Sequence, residues 1–483
     1  MQKIIFYFLL FLTPYFLGAQ KTFYSHFGKS DCINEVWDAI ELKNKTLILT
    51  LNKINCNETN ADNGSEILML NTDGKISSLK KFKYDTDEKE SIGGIHLLAD
   101  SSYLVTSKII NINSGICQIA LYHFDKKFNL IEQKGNKVVG IEDIFIFKSH
   151  YDAAIKTVFF SFNDENFDAY VGSIKQNLTD FKTLKINGFS QILEVNLNHK
   201  KDKYIGFFND TYVIDTSLLS FNKVFSNTSD GDITTIKRLN NKFIIQSKEY
   251  ENFPPQVGAK QSDNISCKIL DKNYDVLKYA SMGKPNGVKD TIEAVSFRGL
   301  DWKNPNKIYL GWTTLEDYEF GDVPEEENSW VALAQLDSNL NVKWTRYYFG
   351  QKLNATVGII ATTDGGILMY GRQSFDGIYS DGFVLKVKED GSLTSDKTPE
   401  LADFEVSTNP NPCSNYFSIA IGQNGSIENF ELSIYDTIGR LAKKENIASG
   451  INKIDVSDMS NNIYLYILKN KNQIVKQGKI VKQ

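Results

Sequence analysis

Cysteine is scarce: five occur in 483 residues, and no two are spaced Cys-x-x-Cys. That removes the usual signature of thiol redox chemistry and of a structural zinc site. Cys32 and Cys56 could pair in an oxidising compartment, but with Cys117, Cys267 and Cys413 the count is odd and spacing leaves connectivity open. Histidine is equally sparse. His26, His96, His123, His150 and His199 are scattered, with no His-x-x-x-His pair to suggest a metal centre. His96 sits in an alternating apolar run and reads as a packed or face histidine. A Gly-x-Ser-x-Gly elbow is missing, which weakens the case for a serine hydrolase. Ser-x-Asp-x-Gly-x-Thr-Trp boxes are missing too, and Ser374-Phe375-Asp376-Gly377 is only an echo of one. Neither charge dominates: 54 Lys and Arg stand against 59 Asp and Glu, a formal net charge of −5. This argues against a nucleic-acid partner, which calls for a basic face, and against an electrostatic membrane clamp. Helical periodicity is not evident over any long window. No catalytic constellation and no metal site emerge from the residues.

The single long apolar run lies at the start. Met1-Gln2-Lys3 is a short basic segment, Ile4–Leu17 is apolar over 14 residues, and Gly18-Ala19-Gln20 supplies small residues before Lys21. Such a run is short for a membrane span, which needs roughly 20 residues. It reads as a signal peptide over residues 1–20, cleaved ahead of Lys21. No Cys follows that point, so a lipoprotein anchor is not expected, and no transmembrane segment is expected after cleavage.

A strand-plus-turn pattern recurs through the middle. Alternating apolar residues followed by Asp or Asn occur at Ile67–Gly74, Ile119–Asp125, Tyr170–Ile174, Tyr212–Asp215, Cys267–Asn273, Val331–Asn339 and Phe383–Gly391. The spacing averages about 53 residues, close to the ~40–50 of propeller blades. Two further strand-like runs precede each copy. The clearest are Val357–Ala361 and Ile367–Arg372 around the turn Thr363-Asp364-Gly365-Gly366, and Gly93–Leu98 and Tyr103–Ser107 around Ala99–Ser102. Four antiparallel strands per repeat make a blade, and a ring of blades protects its sheet edges. The spacing predicts an all-β chain: a β-propeller of about seven blades over 21–395, a linker at 396–403, and a small β-sandwich over 404–483. Thr362–Leu393 resembles the repeats of extracellular bacterial propellers.

The last segment carries an ordered set of motifs. Asn409-Pro410-Asn411-Pro412 opens it, Phe417–Ile421 alternates, and Glu431–Arg440 holds a Tyr435-Asp436-x-x-Gly439-Arg440 core. Gly450–Ser457, Ile463–Ile467 with Tyr464, and a basic–aliphatic finish ending Lys482-Gln483 follow. In this order the segment resembles the C-terminal sorting domain of the type IX secretion system of Bacteroidetes. The resemblance implies export to the outside or to the outer cell surface, with the secretion machinery as partner. It implies that Asn409, Pro410, Pro412, Tyr435, Asp436, Gly439, Arg440, Tyr464 and Lys482 are sorting elements and not catalytic ones. Where the family usually has Gly before its last core strand, this chain has Asn462, a residue that tolerates positive φ.

Aromatics give the best hint of binding. Trp302, Trp312, Trp330 and Trp344 cluster between residues 300 and 345, with Tyr318 nearby. Flat faces with a polar handle suit recognition surfaces. Trp302, Trp312, Trp330 and Tyr318 are the candidate binding residues, for an extracellular glycan or protein. Two acidic loops, Asn60–Glu66 and Asp317–Glu327, offer hard oxygens for calcium without a full calcium-loop motif. Two functional classes follow: a non-catalytic surface binding module, or a secreted propeller enzyme acting on polysaccharide, a glycoside hydrolase or lyase.

Overall fold

A computed structural model describes residues 22–28, 32–54, 64–81, 88–111, 113–166, 168–186, 192–197, 202–207, 210–215, 220–226, 233–239, 242–250, 263–283, 291–316, 329–374, 379–393, 406–410, 412–421, 429–436, 440–448, 450–470 and 473–483. The regular elements among them are all strands. The chain divides into two compact units, a body ending at Thr394 and a second unit made mostly of residues 395–483.

The body is built from four-stranded antiparallel sheets in chain order. The first holds Ile33–Glu41, Leu47–Ile54, Gly64–Leu70 and Ile76–Lys81. The second holds Glu88–Leu97, Tyr103–Asn111, Cys117–Phe124 and Leu130–Lys137, and the third Ile144–Asp152, Thr157–Asp164, Ala169–Lys175 and Lys182–Ile186. The fourth holds Ile192–Leu197, Asp202–Phe207, Asp210–Asp215 and Ser220–Ser226, and the fifth Ile233–Leu239, Lys242–Tyr250, Asp263–Leu270 and Val276–Met282. The sixth comprises Thr291–Asn304, Lys307–Glu316, Ser329–Leu336 and the first part of the long strand Val342–Ala361. The remainder of that strand opens the seventh sheet, followed by Ile367–Ser374 and Ser380–Val387. Its outer strand comes from the other end of the chain: Phe23–Phe27 pairs antiparallel with Ser380–Val387, Phe23 opposite Lys386 and Phe27 opposite Gly382. The first strand of each sheet touches the first strand of the next, and the seventh sheet returns to the first. The architecture is a closed β-propeller, its ring fastened by the N-terminal strand.

Among the described residues the apolar core forms layers between neighbouring sheets. Leu104, Ile119 and Leu121 of the second sheet meet Phe147, Phe160 and Phe162 of the third. Ile244 and Ile269 of the fifth meet Leu310 and Trp312 of the sixth. Val36, Leu49 and Leu68 of the first meet Val357, Leu368 and Val384 of the seventh, with Phe27 in the same layer. Strands buried on both faces lose strict alternation, as Thr157–Asp164, buried throughout, illustrates.

The recurrent Asp/Asn signal has a local cause. Asp125 Oδ1 accepts the amides of Lys127 (2.7 Å) and Asn129 (2.8 Å). Asp271 serves Asn273 and Asp275 at 2.7 and 3.0 Å, and Asp337 serves Asn339 and Asn341 at 2.8 and 3.0 Å. Each turn places its fourth residue in the left-handed region: Phe128, Tyr274 and Leu340 have φ of 60°, 72° and 63°. The side-chain carboxylate replaces missing backbone acceptors and so holds the hairpin between third and fourth strands. In the first sheet the equivalent position is Gly74 at φ 75°, and a Cβ there would collide with the Phe23 ring at 2.3 Å. Glycine thus lets the closing strand lie against the first sheet as well as the seventh.

The second unit is a small sandwich. One sheet orders Val406–Asn409, Tyr416–Ile421 and Gly450–Asp455; the other orders Leu441–Ala448, Asn429–Tyr435, Asn462–Asn470 and Gln473–Lys482. Phe417, Ile419, Phe430, Leu432, Ile434, Tyr464, Tyr466 and Leu468 fill the space between them. Asn462 does not take a positive φ as expected; it begins a strand, and its Oδ1 accepts the Ile463 amide at 2.8 Å.

Candidate functional site

Each of the seven first strands carries a register break. The breaks fall at Val36/Asp38, Ile92/Gly94, Phe145/Lys148, Ile192/Glu194, Ile233/Thr235, Val295/Leu300 and Thr356/Gly358. A bulge re-aims the side chains beside it. Residues beside the breaks of the first, second, third, fifth and sixth sheets share one cavity lining. This partly open cavity of about 250 Å³ is lined by Asp38, Ile95, His96, Lys148, Ser149, His150, Ser161, Lys237 and Arg298 among others.

Polar contacts tie the first strands of different sheets together. Asp38 accepts the amides of Ala39 at 2.8 Å and, across to the second sheet, Ile95 at 3.0 Å. Arg298 of the sixth sheet forms an ion pair with Asp38 and donates to the Ser149 carbonyl at 3.3 Å. Ser149 Oγ lies 2.8 Å from His96 Nε2 and 2.5 Å from Thr106 Oγ1. Trp37 Nε1 donates to the Phe147 carbonyl at 3.0 Å. Gly94 makes the approach possible, since a Cβ there would meet Ser149 Oγ at 2.4 Å. Lys237 pairs with Asp301 at 3.2 Å and stands 6.0 Å above the Trp302 ring.

Much of the charge around the cavity is paired, Lys237 with Asp301 and Arg298 with Asp38. Lys148, Lys237 and Arg298 face a single lining carboxylate, Asp38, which Arg298 and two amides already hold. Burial, with His150 beside it, pulls His96 down to about 3, so its ring is neutral near pH 7 and adds no charge. Burial also lowers Arg298 from the ordinary guanidinium value. Among the described residues no group of three or more His, Cys, Asp or Glu could hold a metal ion.

The His96 shift has a consequence for stability. The folded state refuses a proton that the unfolded chain accepts below about 6.5, so stability must fall as pH drops from there toward 3. Glu90, raised to about 6 by burial, acts oppositely between its ordinary value and 6, so a comparison with His96→Gln is needed. At pH 4.5 the variant should recover about 2 kcal/mol relative to the parent, the exposed side of the ring reducing the full effect. Urea titrations from pH 7.5 to 4.5 that run parallel for both proteins would contradict this.

The expected binding aromatics do not form this site. Trp312 is completely buried and its Nε1 donates to Thr314 Oγ1 at 3.1 Å, so it belongs to the core and offers no ligand platform. Trp302 is half-buried against the layer between the fifth and sixth sheets, and Trp330 is half-buried in the third strand of the sixth sheet. Tyr318 and the loop Asp317–Glu327 lie outside the described residues, as do Asn60–Asn63, the signal segment 1–20 and the linker 396–403. Cys32 is disulfide-bonded, Cys117, Cys267 and Cys413 are free and buried, and Cys56 lies outside the described residues.

In the second unit the Tyr–Asp–x–x–Gly–Arg motif closes a hairpin. Asp436 accepts the Arg440 amide at 2.9 Å and its Nε at 2.8 Å, while the Asp436 amide donates back to the Arg440 carbonyl at 2.9 Å. Tyr435 is half-buried beside this turn, and Gly439 lies outside the described residues. Tyr464 is buried with its hydroxyl donating to the Ser460 carbonyl at 2.9 Å. Asn409 pairs with Ser418 at the start of the first sheet, and Pro410 and Pro412 are exposed. Lys482 is buried in the last strand and bridges to Cys413. Residues 407–483 match the family model of the secretion system C-terminal sorting domain. The chain carries a type IX sorting domain. The motif residues of this sorting domain thus divide into two kinds: Tyr464 and Lys482 hold the sandwich together, whereas Pro410, Pro412 and Arg440 face solvent.

No curated protein matches the chain. Solved structures with a similar fold include the β-propeller domain of a protease from Pyrococcus furiosus, 11% identical with a TM-score of 0.42, covering 77% of this chain and 100% of that one. A lectin from Burkholderia pseudomallei is 8% identical with a TM-score of 0.46, covering 75% and 97%. An ulvan lyase is 9% identical with a TM-score of 0.44, covering 76% and 97%.

Proposed function

We propose that the propeller is a non-catalytic binding module for an extracellular glycan or protein, carried out of the cell by the sorting domain. The sorting domain itself marks the protein as secreted or displayed on the cell surface. The observation that supports binding over glycosidic hydrolysis is the composition of the inner cavity. Hydrolysis calls for two carboxylates about 5–10 Å apart, one of them free to carry a proton. Among the described lining residues Asp38 is the lone carboxylate, and Arg298 and two backbone amides already engage it.

A second reading is a polysaccharide lyase. Its support is the presence of cations and two histidines in one cavity, groups that could neutralise a substrate carboxylate and take up a proton. One experiment separates the two. The mature protein is screened on a glycan array with calcium present, and then incubated with the polysaccharides it binds. Saturable binding without new reducing ends or unsaturated uronide absorbance is the expected result. Product formation that scales with protein would replace the binding module by the enzyme.

A further inference from the structure

The charged groups of the inner cavity are engaged within the protein. Arg298 is paired with Asp38 and Lys237 with Asp301, and Asp38 also accepts the amides of Ala39 and Ile95. Lys148 is engaged as well. A charged ligand must compete with partners already in place and shed its own hydration, whereas a neutral polar one disturbs no pair. Ser161 stands apart from this set. It lies in Thr157–Asp164, is completely buried, lines the cavity, and its hydroxyl meets no hydrogen-bond partner among the described residues. Buried hydroxyls rarely stay unpaired, so its partner comes from whatever fills the cavity. Ala39, Ile40 and Ile95 give the same lining an apolar part.

We propose that this cavity takes the terminal ring of a neutral hexose, with Ser161 Oγ bonded to one of the sugar hydroxyls. The inference rests on the reading of the propeller as an extracellular binding module and names the class of glycan it holds. A pyranose ring is two-sided in the way this lining is: its hydroxyl rim donates and accepts, and its C–H faces favour Ile40 and Ile95 over water. A sugar hydroxyl can give or take a hydrogen bond, so it satisfies Ser161 whichever way that hydroxyl rotates. A simple ion meets only charges that are already engaged, and a purely apolar ligand leaves Ser161 unbonded. The volume is small for a drug-sized ligand and suits one sugar ring, and the open side lets the rest of a glycan run out to solvent.

The test is calorimetry with ligand-observed NMR on the mature, full-length protein. The probes are glucose, galactose and mannose, the uronate and amino-sugar counterpart of each, and glycerol. At least one neutral hexose should bind saturably, about tenfold or more tightly than its charged counterparts and than glycerol. Its affinity should change less than about twofold between low and high salt, since no ion pair forms. Ser161→Ala should weaken that hexose about fivefold to tenfold, at a melting temperature no lower than the parent's, because it removes an unpaired buried hydroxyl. Ile40→Phe, at a half-buried lining position, should abolish binding by filling the recess. The absence of saturable hexose binding would overturn the proposal and leave the cavity a water-filled recess. A uronate or glycerol binding as tightly as the hexose would also overturn it. So would full hexose affinity in folded Ser161→Ala or, should that variant not fold, in Ile40→Phe. The two readings fail separately. Array binding that persists in both variants removes the cavity site and leaves the binding module. Product formation from a bound polysaccharide removes the non-catalytic reading and leaves the hexose affinity.

Discussion

A chain lacking residues 22–28 will melt far below the parent and aggregate on concentration. The deleted strand supplies the outer ladder of the seventh sheet, five register pairs with Ser380–Val387. It also buries Phe27 in the layer between the seventh and first sheets, and sets Phe23 against the Gly74 turn. Tyr24 donates to Gln373 at 2.8 Å and Ser25 to the Gly74 carbonyl at 3.0 Å. Two aromatic side chains at about 1.5–3 kcal/mol each, with the net worth of several hydrogen bonds, amount to about 5 kcal/mol. That is a large part of the stability of an ordinary domain. Deletion further exposes a long unpaired edge at Ser380–Val387, a template for association. Phe27→Ala alone should cost about 3 kcal/mol without exposing that edge. Differential calorimetry and light scattering measure both. An unchanged melting temperature in the deleted chain would mean that the ring does not depend on this closure.

Removal of residues 407–483 will reduce surface display to background while leaving the body folded. The sorting domain has its own core, built only from residues between Cys413 and Ile480, so its loss opens no cavity in the propeller layers. The truncated protein should accumulate behind the outer membrane with the parent's melting transition for the body. Surface biotinylation and fractionation read the first outcome, and calorimetry the second. Arg440→Ala is the finer probe, since it breaks the Asp436–Arg440 pairing at an exposed turn and spares the core. Equal surface display with and without residues 407–483 would refute the role of the sorting domain.

Much of the body was legible because its signals are local. The seven apolar-plus-Asp/Asn segments all fall on the third strands, since the Asp side chain closes the following hairpin within four residues. The turns at Ala99–Ser102 and Thr363–Gly366 are hairpins for the same reason, with Leu98 bonded to Ser102 and Thr362 to Gly366. Of the clustered aromatics, Trp312 proved to be core. Trp312 lies in a strand covered on both faces, and composition does not tell a covered strand from a half-exposed one. His96 was readable only as a packed histidine, whereas the bulge at Ile92/Gly94 aims it into the cavity. One signal was available in principle: Asp38, Lys148, Lys237 and Arg298 are charged residues interrupting apolar first strands at similar places in their repeats.

The sequence by itself determined the all-β class, the strand-and-turn rhythm of the body and the sorting domain at the end. Each of these depends on side-chain alternation and turn chemistry within a few neighbouring residues. Only the tertiary structure decided that Phe23–Phe27 closes the ring, that Trp312 is core, and that charged residues from several sheets meet in the inner cavity. Asp38 and Arg298 are 260 positions apart, and Arg298 meets Ser149 from a distance of 149. Those separations become contacts because a closed ring brings every first strand to one axis, and no local pattern encodes which charges meet there.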